Sequence, residues 1–428
     1  MHKIFLISCC TFFVFAFNLF GKIDAQSIST DTVSLNIDSL ESRFVRNNLD
    51  LLASRYNVDI QKAQIIQAKL FPNPNVSLQQ VAYNQYSKSV LPFSKNGEFV
   101  GQVSQLIQLA GKRNKSVKLA AANANLSEIQ FQDLLRTLKY TLQSDFYNLY
   151  YLQQSSKAYN TEITSLQNLV KAFDTQKGNG YISEKEIVRV RAQLYSILSE
   201  YNDLLNNMND LQSEMRVIIA QPRINLVPVV SDEIIGRYSP TTYSLQAFMD
   251  SAMNNRTDLK IAKANTNINN LNLNYQKALA VPDLTALFNY DQQGGYLIHQ
   301  YQVGVSMDLP FFSRNQGNIK AAHRSIDMSK VTESSTTLNI QETVYRALQK
   351  SLDVDKMYQK VDTSFEGDFK RLQNQVLINY QKRNLGLLDF LDFYESYKEN
   401  ILNMNQLRYE RIQSFVDLNY YTATNFFQ

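Results

Sequence analysis

Four stretches of this chain alternate apolar and polar residues over about the length that crosses a bilayer, and four is too few to close a barrel. They fall at about 75–86, 98–109, 283–292 and 299–310. Asn75-Val76-Ser77-Leu78-Gln79 and Gln300-Tyr301-Gln302-Val303-Gly304-Val305 show the period of two that a wall with lipid outside and water inside requires. A tilted membrane strand needs about 9–11 residues, and the smallest common barrels have eight strands. A chain with four such strands must borrow the rest from other chains. Two ordinary soluble hairpins are the alternative. Against them, the strands come as two equivalent pairs, each joined directly to long helical stretches.

Those helical stretches span roughly 112–175 and 318–380. With Gly at 13 and Pro at 8 of 428 positions, little in the chain interrupts a helix. Helices of this length, about 90 Å at 1.5 Å per residue, need partners along their whole course, in coiled-coil fashion. Leu134, Leu135, Leu138 and Leu142 supply the i, i+4 and i+7 stripe. Shorter helices are expected at 35–54, 57–70 and 244–280, stopped by Pro72-Asn73-Pro74 and by Val281-Pro282. The long helices turn back at Lys177-Gly178-Asn179-Gly180-Tyr181-Ile182-Ser183 and at Gln381-Lys382-Arg383-Asn384-Leu385-Gly386. Glycine is expected there because it tolerates positive φ. Ser183 with Glu186 three residues later reads as a capping box.

The chain thus reads as two copies of one plan, 26–220 and 244–428, with 221–243 between them. Val103-Ser104 lies on Val305-Ser306, Val117-Lys118-Leu119-Ala120 on Ile319-Lys320-Ala321-Ala322, and Pro74 on Pro282. The intervening segment, apolar from Ile224 to Val230, reads as a side element against the middle of the helical shaft.

Met1-His2-Lys3 followed by an apolar run to Phe20 and a small residue at Ala25 reads as a secretory signal peptide over 1–25. Cys9 and Cys10 are the only cysteines and lie inside it, so disulfides and thiolate metal sites are not expected in the mature chain. Leu6-Ile7-Ser8-Cys9 looks superficially like a lipoprotein-processing box, but it falls early and a long apolar run follows. After residue 26 there is no run of 18 apolar residues, so a membrane crossing must be made by strands. A net charge of +4 and the absence of a basic patch with interleaved aromatics give no reason to expect nucleic acid. No catalytic motif stands out, and His323 reads as a structural residue. No enzyme activity, cofactor or metal centre is expected.

Leu70-Phe71-Pro72-Asn73-Pro74 and Leu309-Pro310-Phe311-Phe312-Ser313-Arg314-Asn315-Gln316-Gly317-Asn318-Ile319-Lys320-Ala321-Ala322, at the ends of two strands, resemble the TolC family of outer-membrane efflux proteins. The second segment looks like the version found in metal- and drug-exporting tripartite pumps. The resemblance covers nearly all of the mature chain. It implies a mainly α fold with a small membrane β-barrel: a homotrimer sharing a 12-stranded barrel in the outer membrane, with a helical periplasmic tunnel closed by an iris. It also implies two partners, a periplasmic adaptor protein and an inner-membrane efflux transporter. Leu388-Asp389-Phe390-Leu391-Asp392 is similar to the family segment whose aspartates ring the tunnel mouth, which would make Asp389 and Asp392 pore residues. Gly180, Ser183 and Gly386 mark the turns where an adaptor would dock. An exported structural or adhesive coiled-coil protein and a periplasmic adaptor remain as other readings. Scarce glycine counts against the adaptor.

Overall fold

The computed structural model describes residues 31–92, 97–177, 183–231, 236–293, 297–361, 364–382 and 384–427. The expected signal peptide lies outside them. The chain opens with β1 (Asp31–Leu35), α1 (Ile37–Asn47) and α2 (Leu49–Lys69). Apolar spacing alone gives a first helix running from 35 to 54; the structure breaks it at Asn48. The Asn48 backbone leaves helical geometry, its side-chain oxygen accepts from Leu51 N at 2.8 Å, and its amide donates to Ile218 O at 2.7 Å. A buried Asn that caps one helix and ties it to another overrides the periodicity running through it.

β2 (Asn75–Gln80) is shorter than its expected span of 75–86. Beyond it, β3 (Tyr83–Asn84) and β4 (Ser89–Val90) form a separate small hairpin. The Asn84 side chain accepts from the N–H groups of Tyr86 and Ser87 and turns the chain there. β5 (Glu98–Ile107) leads through Ala110 and Gly111, at φ 53° and 66°, into α3 (Lys112–Lys177). α3 has 66 residues and spans about 100 Å. α4 (Glu184–Ile218) runs back along it.

β6 (Ile224–Pro228) then pairs in parallel with β1 and lies on the middle of the shaft. The buried Gln212 side chain donates to Leu226 O at 2.6 Å and accepts from Leu226 N at 2.9 Å, riveting the strand to α4. The apolar side element is therefore half of a two-stranded sheet. Its other half, β1, carries no comparable sequence signal.

The second half follows with α5 (Leu245–Asn255), α6 (Thr257–Leu279), β7 (Leu284–Gln293), β8 (Leu297–Met307), α7 (Gln316–Tyr358), α8 (Ser364–Gln381) and α9 (Leu387–Thr422). The stretch expected as one helix over 318–380 is divided between α7 and α8. Lys360 N and Val361 N donate three residues back, to Met357 O and Tyr358 O, tightening the last turn of α7. The sequence that follows, Val361-Asp362-Thr363-Ser364, consists of weak helix formers.

Some local features recur between the first and second parts of the chain. α1 and α5 each have 11 residues. Each ends in the same kink, at Asn48 (φ −60°, ψ 126°) and Arg256 (φ −59°, ψ 127°). Buried Ser127 in α3 donates to Ala124 O at 2.7 Å, and buried Ser329 in α7 donates to Ile326 O at 2.9 Å. The halves meet in one antiparallel sheet of order β2-β5-β7-β8. Where that sheet joins the helices, the Lys112 ammonium lies 2.7 Å from the Asp283 carboxylate, and Leu109 N donates to the same oxygen at 2.9 Å.

Lys112 is nearly buried, so it depends on that partner. Asp283→Ala leaves the ammonium without a counter-charge and should cost about 3–5 kcal/mol. Thermal melting in detergent should show a lowered midpoint that Lys112→Met largely restores.

Candidate functional site

The register of the four-stranded sheet sorts its side chains onto two faces. Val76 lies opposite Val103, Val103 opposite Phe288, and Phe288 opposite Val303. Leu78, Gly101, Tyr290 and Tyr301 form the next row, and Ile107, Leu284 and Met307 a third. These rows make one apolar face, interrupted by Gln80, Gln105 and Gln292. The opposite face carries Ser77, Gln102, Asn289 and Gln302 in one row, with Ser104, Thr285 and Ser306 nearby. Val100, Leu106 and Leu287 are its apolar exceptions. On β8 the apolar residues stand in the open: Val303 is 86% exposed and Val305 71%.

Aromatic side chains frame this face. Tyr290 packs on Tyr301 at 5.4 Å between centroids and donates or accepts a 2.7 Å hydrogen bond with His299 Nδ1. At the other end Phe71, Phe311 and Phe312 stand exposed, with the Arg113 guanidinium 3.7 Å over the Phe71 ring. β8 has 11 residues, about 36 Å of extended chain, and at a strand tilt of about 40° it rises about 28 Å, enough for the apolar band of an outer-membrane barrel. Among the described residues no helix is long and apolar enough to cross a membrane.

The far end of the shaft carries the residues picked out by sequence. The capping box is present: Glu186 N donates to Ser183 Oγ at 3.3 Å, and Ser183 N donates to Glu186 Oε2 at 3.1 Å. Gly180 lies outside the described residues. Gly386 does not use positive φ; its backbone is extended at φ −72°, ψ 157°. A Cβ there would sit 3.1 Å from Asp389 Oδ2, so glycine makes room for a carboxylate folded over the first turn of α9. Asp389 and Asp392 are both exposed, on the side of α9 away from buried Leu387, Phe390 and Tyr394. Phe390 stacks between Tyr380 and Tyr394 at 4.7 and 4.6 Å, and Tyr380 reaches Phe173 at 6.3 Å. This aromatic column locks both helical hairpins together just behind the two aspartates.

The helix seams differ in chemistry. Between α3 and α4 the packing is apolar, with Ile163, Leu166 and Phe173 against Ile187, Val190 and Ile197. Between α3 and α9 a polar ladder runs instead. Tyr140 donates to Asp417 at 2.9 Å, Gln413 to Ser144 at 2.9 Å, and Asn405 to Ser155 at 3.0 Å. Beyond it Lys398 of α9 donates to Glu200 of α4 at 2.7 Å, beside Tyr159 and buried Glu162 of α3. Burial pushes the Glu162 carboxyl up to about 7; Lys398 opposes this, and Glu200 and Glu395 add to it. Burial alone would lower Lys398, but its bond to Glu200 holds it above the ordinary lysine value. Sequence reading missed Glu162. Its place among Tyr159, Ile163 and Leu166 on the apolar stripe of α3 was the available signal.

A carboxyl with a raised folded-state pKa binds more protons in the native than in the unfolded state. Its contribution to stability therefore falls as pH rises from about 4.5 to about 7. Glu162→Gln should flatten that decline, measured as thermal midpoint against pH.

No model of a known protein family matches the chain. The cobalt-zinc-cadmium resistance protein CzcC of Cupriavidus metallidurans is 18% identical over 298 residues, 69% of this chain and 68% of that protein. The CmeC outer membrane channel of Campylobacter jejuni matches in structure with a TM-score of 0.74 at 17% identity, over 92% of this chain and 86% of that one. The MtrE outer membrane channel of Neisseria gonorrhoeae, in its open state, matches at 0.68 and 15% identity, over 91% and 89%. The TolC-like resemblance read from the sequence is thus borne out in three dimensions: this chain has the fold of the outer-membrane channel proteins.

Proposed function

We propose that the chain is the outer-membrane channel of an efflux system, a passive exit duct fed by an inner-membrane transporter through a periplasmic adaptor. The observation that carries this reading is the sheet with one apolar and one polar face and two open edges. Lipid tolerates neither an open edge nor a polar face, and a lumen accepts the polar one. Three copies supply twelve strands, enough to close; the two matched halves then serve as repeats that make the ring nearly sixfold. The helices extend the duct into the periplasm.

In such a trimer, Asp389 and Asp392 place six carboxylates around the far end of the tunnel. That ring attracts cations and repels anions. Metal cations are one cargo class, suggested by the resistance named for CzcC. Ser183, Gly180 and Gly386, at the hairpin turns, form the docking end for the adaptor.

Reconstitution in planar bilayers tests this directly. The mature chain should insert as a trimer and conduct, and Asp389→Asn with Asp392→Asn should weaken block by multivalent cations. A folded, water-soluble monomer recovered without detergent refutes the reading. The faces give a second measurement. Val303→Arg should reduce assembled trimer by about 2–4 kcal/mol if it lies near mid-membrane, whereas Gln302→Arg, on the opposite face, should assemble normally.

A further inference from the structure

Where β5 ends and α3 begins, the chain leaves a groove of about 460 Å³ lined by Phe71, Pro72, Leu106, Ile107, Arg113 and Asn114. One wall is fixed by a side chain from the apolar face of the sheet. Gln105 donates to Pro72 O at 2.9 Å and to Leu106 O at 3.0 Å, which pins the 71–72 segment beside the strand. The groove is apolar on one side and cationic on the other. Ile107 belongs to the apolar face and is 43% exposed, so the groove opens onto that face. Phe71, 72% exposed, stands across from it, and the Arg113 guanidinium lies 3.7 Å over the Phe71 ring. Stacking engages the face of a guanidinium and leaves its in-plane N–H groups for an acceptor. Arg113 is half-buried, and among the described residues it has neither a carboxylate partner nor a hydrogen-bond acceptor.

The charges around it deepen that imbalance. α3 carries Lys112, Arg113, Lys115 and Lys118 and no acid before Glu128; α7 carries Lys320 and no acid before Asp327. Helix starts ordinarily favour acids and disfavour cations. Lys112 is answered by Asp283, and Lys115 donates to Ala110 O at 2.5 Å. Arg113, Lys118 and Lys320 have no ionic partner among the described residues. Cations held where the helix itself opposes them require negative charge from outside the chain.

We propose that this groove seats the headgroup of an anionic glycerophospholipid of the periplasmic leaflet, its phosphodiester bound in the plane of Arg113 and an acyl chain laid on Ile107 and Phe71. The phosphate is the counter-ion that Arg113 lacks, and its oxygens match the guanidinium fork. A lipid fits better than a free phosphate, because an inorganic ion leaves Ile107 and Phe71 uncovered. A headgroup with net negative charge fits better than a zwitterionic one. Lys118, one turn along α3 from Asn114, adds positive charge that a headgroup ammonium would oppose.

The inference rests on the reading of the sheet as a membrane wall, and its test separates the two. Native mass spectrometry of the trimer extracted from outer membranes, titrated in detergent with dioleoyl phosphatidylglycerol, counts bound lipid directly. Phosphatidylcholine with the same chains and inorganic phosphate are the other arms. Phosphatidylglycerol should bind in preference to phosphatidylcholine, and inorganic phosphate should not displace it. Arg113→Gln should weaken phosphatidylglycerol about tenfold or more, the weight of a hydrogen bond to a charged group, and Lys320→Gln much less. Asn114→Glu leaves Arg113 and Phe71 in place and suits a helix start, yet puts a carboxylate into the groove; it should weaken phosphatidylglycerol too. Equal affinity for the two lipids, displacement by inorganic phosphate, equal losses from Arg113→Gln and Lys320→Gln, or unchanged binding in either groove variant overturns the site. A trimer that sediments with outer membranes but shows no lipid preference loses the lipid site alone. A water-soluble monomer loses the membrane wall and the lipid site with it.

Discussion

A strand in lipid must have every backbone N–H and C=O paired, because hydrocarbon offers no substitute partner. On the proposed reading of the sheet as a membrane wall, that requirement organises the molecule. It makes a four-stranded sheet with two free edges incomplete by itself, and it makes face parity the property that register must protect. The rows running from Val76 through Val103 and Phe288 to Val303 meet that demand within one chain. So does the β5–β7 pairing, which fuses the two halves at the sheet before their helices diverge. The buried Lys112–Asp283 contact sits at that fusion point and converts strand order into helix placement.

The shaft obeys a different rule. A 66-residue helix has too little intrinsic stability to stand alone, so its order comes from what it packs against. α3 is the common partner, touching α2, α4, α6 and α9. Its contact with α4 is mainly apolar, with Asn160 to Tyr201 and Arg191 to Asp174 among its few polar contacts. Its contact with α9 carries a ladder of hydrogen bonds through Asp417, Gln413 and Asn405, beyond which Lys398 of α9 pairs with Glu200 of α4 beside Glu162. A polar seam is the more discriminating of the two, because a shifted register leaves buried groups without partners. The aromatic column from Phe173 through Tyr380 and Phe390 to Tyr394 holds the two seams together at the end where Asp389 and Asp392 emerge.

Much of this was legible in the chain itself. Alternation in 98–109 and 299–310 found β5 and β8 to within a few residues, and scarce glycine and proline found α3 whole. The Ser183–Glu186 spacing gave the capping box atom for atom, because a cap is a contact between near neighbours. The i, i+3 spacing of Asp389 and Asp392 put both on an exposed side for the same reason. Gly386 falls at the turn before α9 but does not take the positive φ expected there; its backbone is extended. The helix ends at Asn48 and Tyr358 and the strand β1 escaped notice. In each case the deciding partner, such as Ile218 O for Asn48 or β6 for β1, is far away in sequence.

Sequence by itself determined most of the helices, the strands β5, β7 and β8, and which residues of each strand share a face. These follow from period, capping and turn chemistry, all set within a few residues. Tertiary structure alone decided that β5 pairs with β7, that Gln212 rivets β6 to the shaft, and that Glu162 lies buried beside a charged pair. Each depends on which distant surface arrives alongside, and a one-dimensional pattern carries no distance between segments.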